Sequence, residues 1–228
     1  MKAGDLFSLE EDFDFRSVFS LDDAPWEWIP KIGLALESVQ ISTNPEEHPS
    51  IPSSVVVEGD VFLHPSVRLG HHVVIQGPAF IGANTEIRAG AFIRGRVIVG
   101  KDCVLGNSCE FKNCLLLNKV QVPHFNYVGD SVLGNHSHLG AGSICSNLRL
   151  DQSKVKVRLS DGVLDSGLKK LGAMIGDGAE VGCNTVLNPG TILGRRSLVY
   201  PSISFGGFLE AGMIAGVRRQ EIRVARRD

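Results

Sequence analysis

The chain is poor in several things that would have settled its class early. Among 228 residues there are three methionines, two tryptophans and two tyrosines. No apolar run approaches the ~20 residues a membrane-spanning helix needs, so no membrane span is expected. The start, Met1-Lys-Ala-Gly-Asp-Leu-Phe-Ser, has no apolar core of a secretory signal. The five cysteines, at 103, 109, 114, 145 and 183, contain no Cys-x-x-Cys pair. Their odd number, without a secretory signal, points to free buried thiols in a reducing cytoplasm rather than a disulfide framework. A formal net charge of −2 gives no whole-chain attraction to nucleic acid or anionic membrane.

What is abundant is glycine, 26 in all, and it accompanies a repeat. From Val57 an apolar residue recurs every six positions: Val57, Leu63, Leu69, Ile75, Ile81, Ile87, Ile93, Val99, Leu105, Phe111 and Leu117. A smaller or β-branched residue precedes most of them by two, as at Val61, Val67, Ala79, Thr85 and Cys103. Glycine often follows, as at Gly70, Gly82, Gly100 and Gly106. The pattern returns as Leu133, Leu139 and Cys145, and again from Ile175 through Val181, Leu187, Leu193 and Val199 to Phe205.

A period of six fits neither the helical 3.6 nor strand alternation. It predicts an all-β parallel β-helix of hexapeptide units, three to a triangular coil, with the periodic side chains stacked inside. The cysteines at 103, 109, 145 and 183 fall on or beside inward positions and read as small core residues. Because such a solenoid repeats one geometry, function is sought where the repeat departs from itself.

The predicted organisation is an acidic segment and linker over residues 1–52, a β-helix over 53–208, and a basic tail over 209–228. The first part holds both tryptophans, Trp26 and Trp28. A short helix is expected after Pro25 or Pro30, capped by Asp23, with Lys31–Ser38 as its apolar body. It reads as a packing segment covering one end of the main domain, or as a partner-docking arm. Thr43 to Pro52 reads as the linker, since its prolines continue neither helix nor central strand.

Three breaks interrupt the repeat. The first, between Leu117 and Leu133, contains Val122-Pro-His-Phe-Asn-Tyr-Val-Gly-Asp130. The second, 146–171, alternates Val155, Val157 and Leu159 before a Ser-Asp-Gly turn, the pattern of an extruded β-hairpin. Its cations (Arg149, Lys154, Lys156, Arg158, Lys169, Lys170) suit an anionic ligand or a solvated loop. The third is the tail from Arg218, with five arginines.

The stretches Leu105-Gly-Asn-Ser-Cys-Glu-Phe-Lys-Asn113, Pro123-His-Phe-Asn-Tyr-Val-Gly-Asp130, Leu133-Gly-Asn and Leu139-Gly-Ala-Gly142 together resemble the acetyltransferase half of the bifunctional enzyme that makes UDP-N-acetylglucosamine. Asn147-Leu-Arg-Leu-Asp and Leu171-Gly-Ala-Met-Ile-Gly176 look more like archaeal-type sugar-1-phosphate nucleotidylyltransferase/acetyltransferases. The resemblance spans roughly 55–220 and implies a left-handed coil, a homotrimer, and acetyl-CoA as co-substrate in the groove between neighbouring helices. It makes His124 the base that takes a proton from the sugar amine, with Tyr127 and Asn147 positioning the substrate. Arg94 and Lys112 fall where the family holds the sugar phosphate and acidic groups, and Lys156 on a lysine of the archaeal-type loop. Ala141 matches a backbone contact to acetyl-CoA, with weaker coenzyme matches at Cys183, Tyr200 and Pro201, and Arg218 matches an arginine near the coenzyme phosphates. Ser153 stands where the archaeal-type loop has a second lysine, and His138 replaces an asparagine. The nucleotidyltransferase half is not expected within the chain, so a separate nucleotidyltransferase is a candidate partner.

The residue types suit this chemistry. An amine attacks a thioester only when unprotonated, and an ordinary imidazole, titrating near pH ~6.5, is a fitting proton acceptor. Guanidinium and ammonium groups bind phosphate by charge-assisted hydrogen bonds. Two other readings stand beside it: a sugar-nucleotide-binding or regulatory scaffold without turnover, and a trimeric carbonic-anhydrase-like metal site using His124, His136 and His138.

Overall fold

The computed structural model describes residues 1–39 and 49–218. The chain winds into the parallel β-helix expected, with three faces of eight strands each. The first face runs from Val56–Glu58 to Ser204–Phe205, the second from Val61–Leu63 to Phe208–Leu209, and the third from Arg68–Leu69 to Ile214–Ala215. Each inward residue stacks on its equivalent one coil away, as Val57 on Ile75 and Ile75 on Ile93. Nearly all of these side chains are fully buried, each worth about 1.5–3 kcal/mol of burial free energy.

The expected first break is not a break. Gln121–His124 is a regular third-face strand and Tyr127–Gly129 a regular first-face strand, with Val122 and Val128 inward. What changes is coil length. The register pairs Ile93 with Phe111 eighteen residues on, but Phe111 with Val128 and Val128 with Cys145 only seventeen on. One residue is missing at the corner between first and second faces, after Lys112 and again after Gly129. Leu117 is therefore displaced from the core. Leu116 fills the inward site between Val99 and Leu133, and Leu117 packs outside with the N-terminal segment.

That segment lies along the outer side of the second face rather than over one end of the coil. Ala3, Leu6, Phe7, Phe19, Trp28 and Ile32 bury themselves against Ile98, Leu115, Leu117, Val132 and Met174. The helix is Trp28–Glu37, with Pro30 in its first turn where no intrahelical N–H is lost. A 3-10 turn, Pro25–Glu27, precedes it. Asp23 does not cap either element: its carboxylate accepts from Lys31 Nζ at 2.6 Å. The segment is pinned by Arg195 Nη2, which donates to Phe7 O at 2.8 Å, and by Asp177, which accepts from Ser8 Oγ at 2.6 Å. Residues 43–48 of the expected linker, and the tail beyond Arg218, lie outside the described residues.

The hairpin forms as expected, pairing Lys156–Leu159 antiparallel with Gly162–Asp165. It folds back against the solenoid: Val155 and Val157 are fully buried in the cluster that includes Ile192, and Lys156 and Arg158 face outward. Gly190, at φ +78°, permits this approach, because an added Cβ would meet Val155 Cγ1 at 2.8 Å. Among the described residues no helix is long and apolar enough to cross a membrane.

Candidate active site

Two corners flank the first face, and they carry different chemistry. At the corner between third and first faces, His124 ends its strand with its imidazole exposed and making no hydrogen bond to any described residue. Its neighbour Phe125 sits at φ +53° and is 63% exposed, an unusual backbone state for a bulky residue. The turn is held by Asn126, a buried side chain whose Oδ1 accepts the His124 amide at 3.1 Å. Its Nδ2 donates to Gly140 O at 2.7 Å, in the next coil.

The expected coenzyme contacts continue this corner as one column. Gly142 N donates to His124 O at 3.0 Å, Asn184 N to Ala141 O at 2.8 Å, and Ser202 N to Cys183 O at 2.8 Å. His124, Ala141, Cys183 and Pro201 thus occupy successive coils. Cys183, expected among the small core residues, is instead exposed at this corner, where the outward turn carries it off the core. Cys103, Cys109 and Cys145 are core residues as expected, and Cys114 is buried with them. Arg218 follows the last third-face strand, Ile214–Ala215, and is exposed at the open end of the column. Strand pairing places it four coils from His124, about 19 Å at ~4.8 Å per coil. The amides of Ala141 and Cys183 find no acceptor among the described residues.

The expected substrate contacts gather on the first face and its other corner. Arg94 Nη1 donates to Glu110, whose strand neighbour is Tyr127. The hydrogen bond to Glu110 raises the Arg94 guanidinium further above its ordinary value. Asp130, 4% exposed, is the hub of the other corner. It accepts from Asn113 Nδ2 at 2.7 Å and from Asn147 Nδ2, with Lys112 Nζ 3.9 Å away. Asn147 Nδ2 also donates to the Tyr127 hydroxyl at 3.2 Å. Burial is the main reason the Tyr127 phenol is raised above its ordinary value, so it stays protonated at neutral pH. Gly129 leaves room for this contact, since an added Cβ would sit 2.5 Å from the Tyr127 hydroxyl.

Lys112, Tyr127 and Asn147 are therefore joined through Asp130, with Arg94 beside them through Glu110. Lys156 is not part of that network. It lines a cleft with Arg149, Arg158 and Asn188 under the hairpin, beyond the Asp130 corner. Sequence reasoning assigned no role to Glu110, Asn113, Asn126 or Asp130. Asp130 closes the quoted His-x-x-Tyr-x-Gly-Asp stretch, so its type was visible although its partners were not. Among the described residues no group of three metal-ligating side chains converges.

A family model described as the GMPPB C-terminal domain matches residues 75–198, more than half of the chain. The bifunctional protein GlmU of Methanococcus vannielii is 30% identical over 177 residues, 77% of this chain and 41% of that protein. A bifunctional sugar-1-phosphate nucleotidylyltransferase/acetyltransferase of Sulfurisphaera tokodaii is 32% identical over 180 residues, 78% of this chain and 43% of that protein. The uncharacterized acetyltransferase YaiX of Escherichia coli (strain 536) is 32% identical over 181 residues, covering 78% of each chain. The chain spans about two fifths of the length of the bifunctional relatives it matches.

Proposed function

This chain belongs to the GMPPB C-terminal domain family and to the hexapeptide-repeat acetyltransferases, and we propose that it transfers an acetyl group from acetyl-CoA to the amine of an amino-sugar 1-phosphate or a related nucleotide-sugar precursor. The observation that carries this reading is the relation of the two corners. The exposed His124 imidazole begins a column that carries the free amides of Ala141 and Cys183 and ends at Arg218, a length suited to an extended coenzyme. The Asp130 network holds Lys112, Tyr127 and Asn147 across the same face for the sugar.

In this reading the sugar nitrogen attacks the thioester carbonyl and His124 takes its proton. The C–N bond forms, the C–S bond breaks, and the proton leaves on the coenzyme thiol. The free amide of Ala141 stabilises the oxyanion. Arg94 and Lys112 hold the phosphate, and Arg218 holds the coenzyme phosphates. The chain works as a homotrimer, so that the coenzyme groove is completed by a neighbouring copy, and the five free thiols suit a reducing cytoplasm. A separate nucleotidyltransferase is its partner in this reading.

Purified protein given acetyl-CoA and glucosamine 1-phosphate should release free thiol. His124→Ala should lower turnover by about 10²–10⁴-fold while still binding acetyl-CoA. Absence of thiol release across a panel of phosphorylated and nucleotide-linked amino sugars would overturn the reading.

A further inference from the structure

Beyond the Asp130 corner two clefts run together under the hairpin, one of ≈ 490 Å³ and one of ≈ 350 Å³, sharing Arg149, Asn188 and Pro189. The smaller is floored by Gly206 and Gly207 and roofed by Lys156 and Arg158. These two cations project from the same side of their strand, because Val155 and Val157 between and before them are buried. Neither makes an ion pair among the described residues. Asp165, opposite Lys156 in the hairpin, instead accepts from the Gly167 amide at 2.8 Å. Arg149 is already matched to Asp151, so the uncompensated charge is that of Lys156 and Arg158. The larger cleft has a different lining: Leu148, Pro189 and the wholly exposed Leu150, beside the Arg149 guanidinium with its partner Asp151, and the polar Ser146 and Asn188. An apolar wall with one guanidinium suits a flat heteroaromatic ring, and two free cations over glycine suit clustered phosphate oxygens.

We propose that the joined clefts hold the nucleoside diphosphate of a nucleotide-linked amino sugar, with the diphosphate on Lys156 and Arg158 and the base against Leu148, Leu150 and Pro189. The inference rests on the acetyltransferase reading and narrows its substrate class to a sugar nucleotide, whose diphosphate lies on Lys156 and Arg158 in place of Arg94 and Lys112, which already face Glu110 and Asp130. Coenzyme A carries a nucleoside diphosphate too. The position favours the sugar: Ser146 and Leu148 of the larger cleft flank Asn147, whereas the His124–Arg218 column follows the opposite edge of the first face.

Calorimetry on the full chain with UDP, GDP and acetyl-CoA tests this, comparing wild type with a Lys156→Ala/Arg158→Ala double variant. Both side chains are exposed, and an unchanged circular dichroism spectrum and melting temperature would verify the fold. At least one nucleoside diphosphate should bind, and the double variant should weaken it tenfold or more while acetyl-CoA binds within twofold of wild type. No nucleoside diphosphate binding, or binding indifferent to the double variant, overturns the proposal. So does a selective loss of acetyl-CoA affinity, which would assign the cleft to the coenzyme. Failure of thiol release with every amino sugar sinks the acetyltransferase reading separately, and the calorimetric loss would still identify the cleft's ligand.

Discussion

Asn126 joins the His124 amide, 3.1 Å from its oxygen, to the Gly140 carbonyl, 2.7 Å from its nitrogen. One buried side chain thereby ties the exposed imidazole to the coil that presents Ala141. Asn126→Ala leaves the His124 amide without its acceptor, at a cost of about 1–3 kcal/mol if water does not reach it, whereas the Gly140 carbonyl keeps Ser143 Oγ at 2.8 Å. The melting temperature should fall, and kcat should fall more than KM changes. A stability loss with kcat intact would refute a positioning role.

Asp130→Asn replaces a buried acceptor with an amide that competes to donate to Asn113 and Asn147. It also removes the charge facing Lys112. The expected result is at least a tenfold rise in KM for the sugar, with acetyl-CoA affinity unchanged in calorimetry. Equal losses for both substrates would mean that the corner is a general support of the fold.

Burial pushes the thiols of Cys103 and Cys145 up to about 12, and raises those of Cys109 and Cys114 as well. Only Cys183 is exposed. An aromatic disulfide reagent at pH 8 should therefore titrate one thiol in the native protein and five after denaturation. Acetyl-CoA should slow the native reaction if the column is its site. The same shifts set a pH dependence. An unfolded thiol ionises near ~8.5, so above that pH the folded state binds more protons and stability declines toward pH 12. Melting temperatures measured from pH 7 to pH 10 should fall, and a flat profile would contradict the burial of these thiols.

Trp28 is fully buried, with ring centroids 5.1 Å from Phe7 and 5.2 Å from Phe19. Trp28→Ala should cost about 3–5 kcal/mol if the segment and the coil unfold together. Urea unfolding followed by circular dichroism measures this directly. A midpoint near the wild-type value would show that the β-helix is stable without the segment.

The solenoid was legible because one residue in six had to be apolar to fill a narrow triangular core, and Ile75, Ile81, Ile87 and Ile93 meet that demand without exception. The corner was harder to read. Skipping one residue after Lys112 and one after Gly129 looks, on paper, like loss of the repeat, because the count of six fails while the geometry persists. Leu116 and Leu117 show the difficulty: both are apolar, and only strand pairing decides which faces inward.

The sequence by itself determined the architecture, the hairpin and the family resemblance, and singled out His124 as the proposed base, since each is a matter of local periodicity or contiguous pattern. Tertiary structure alone decided which residues act together. Asn126 and Asp130 reach their partners across coils, from 14 to 17 residues away in sequence, and no local pattern encodes such a contact. It also separated Lys156 from the Asp130 network, because the hairpin folds back over later coils. The N-terminal segment likewise came to rest along the second face rather than over an end, where Ile98, Leu115 and Val132 offered outward apolar surface that needed covering.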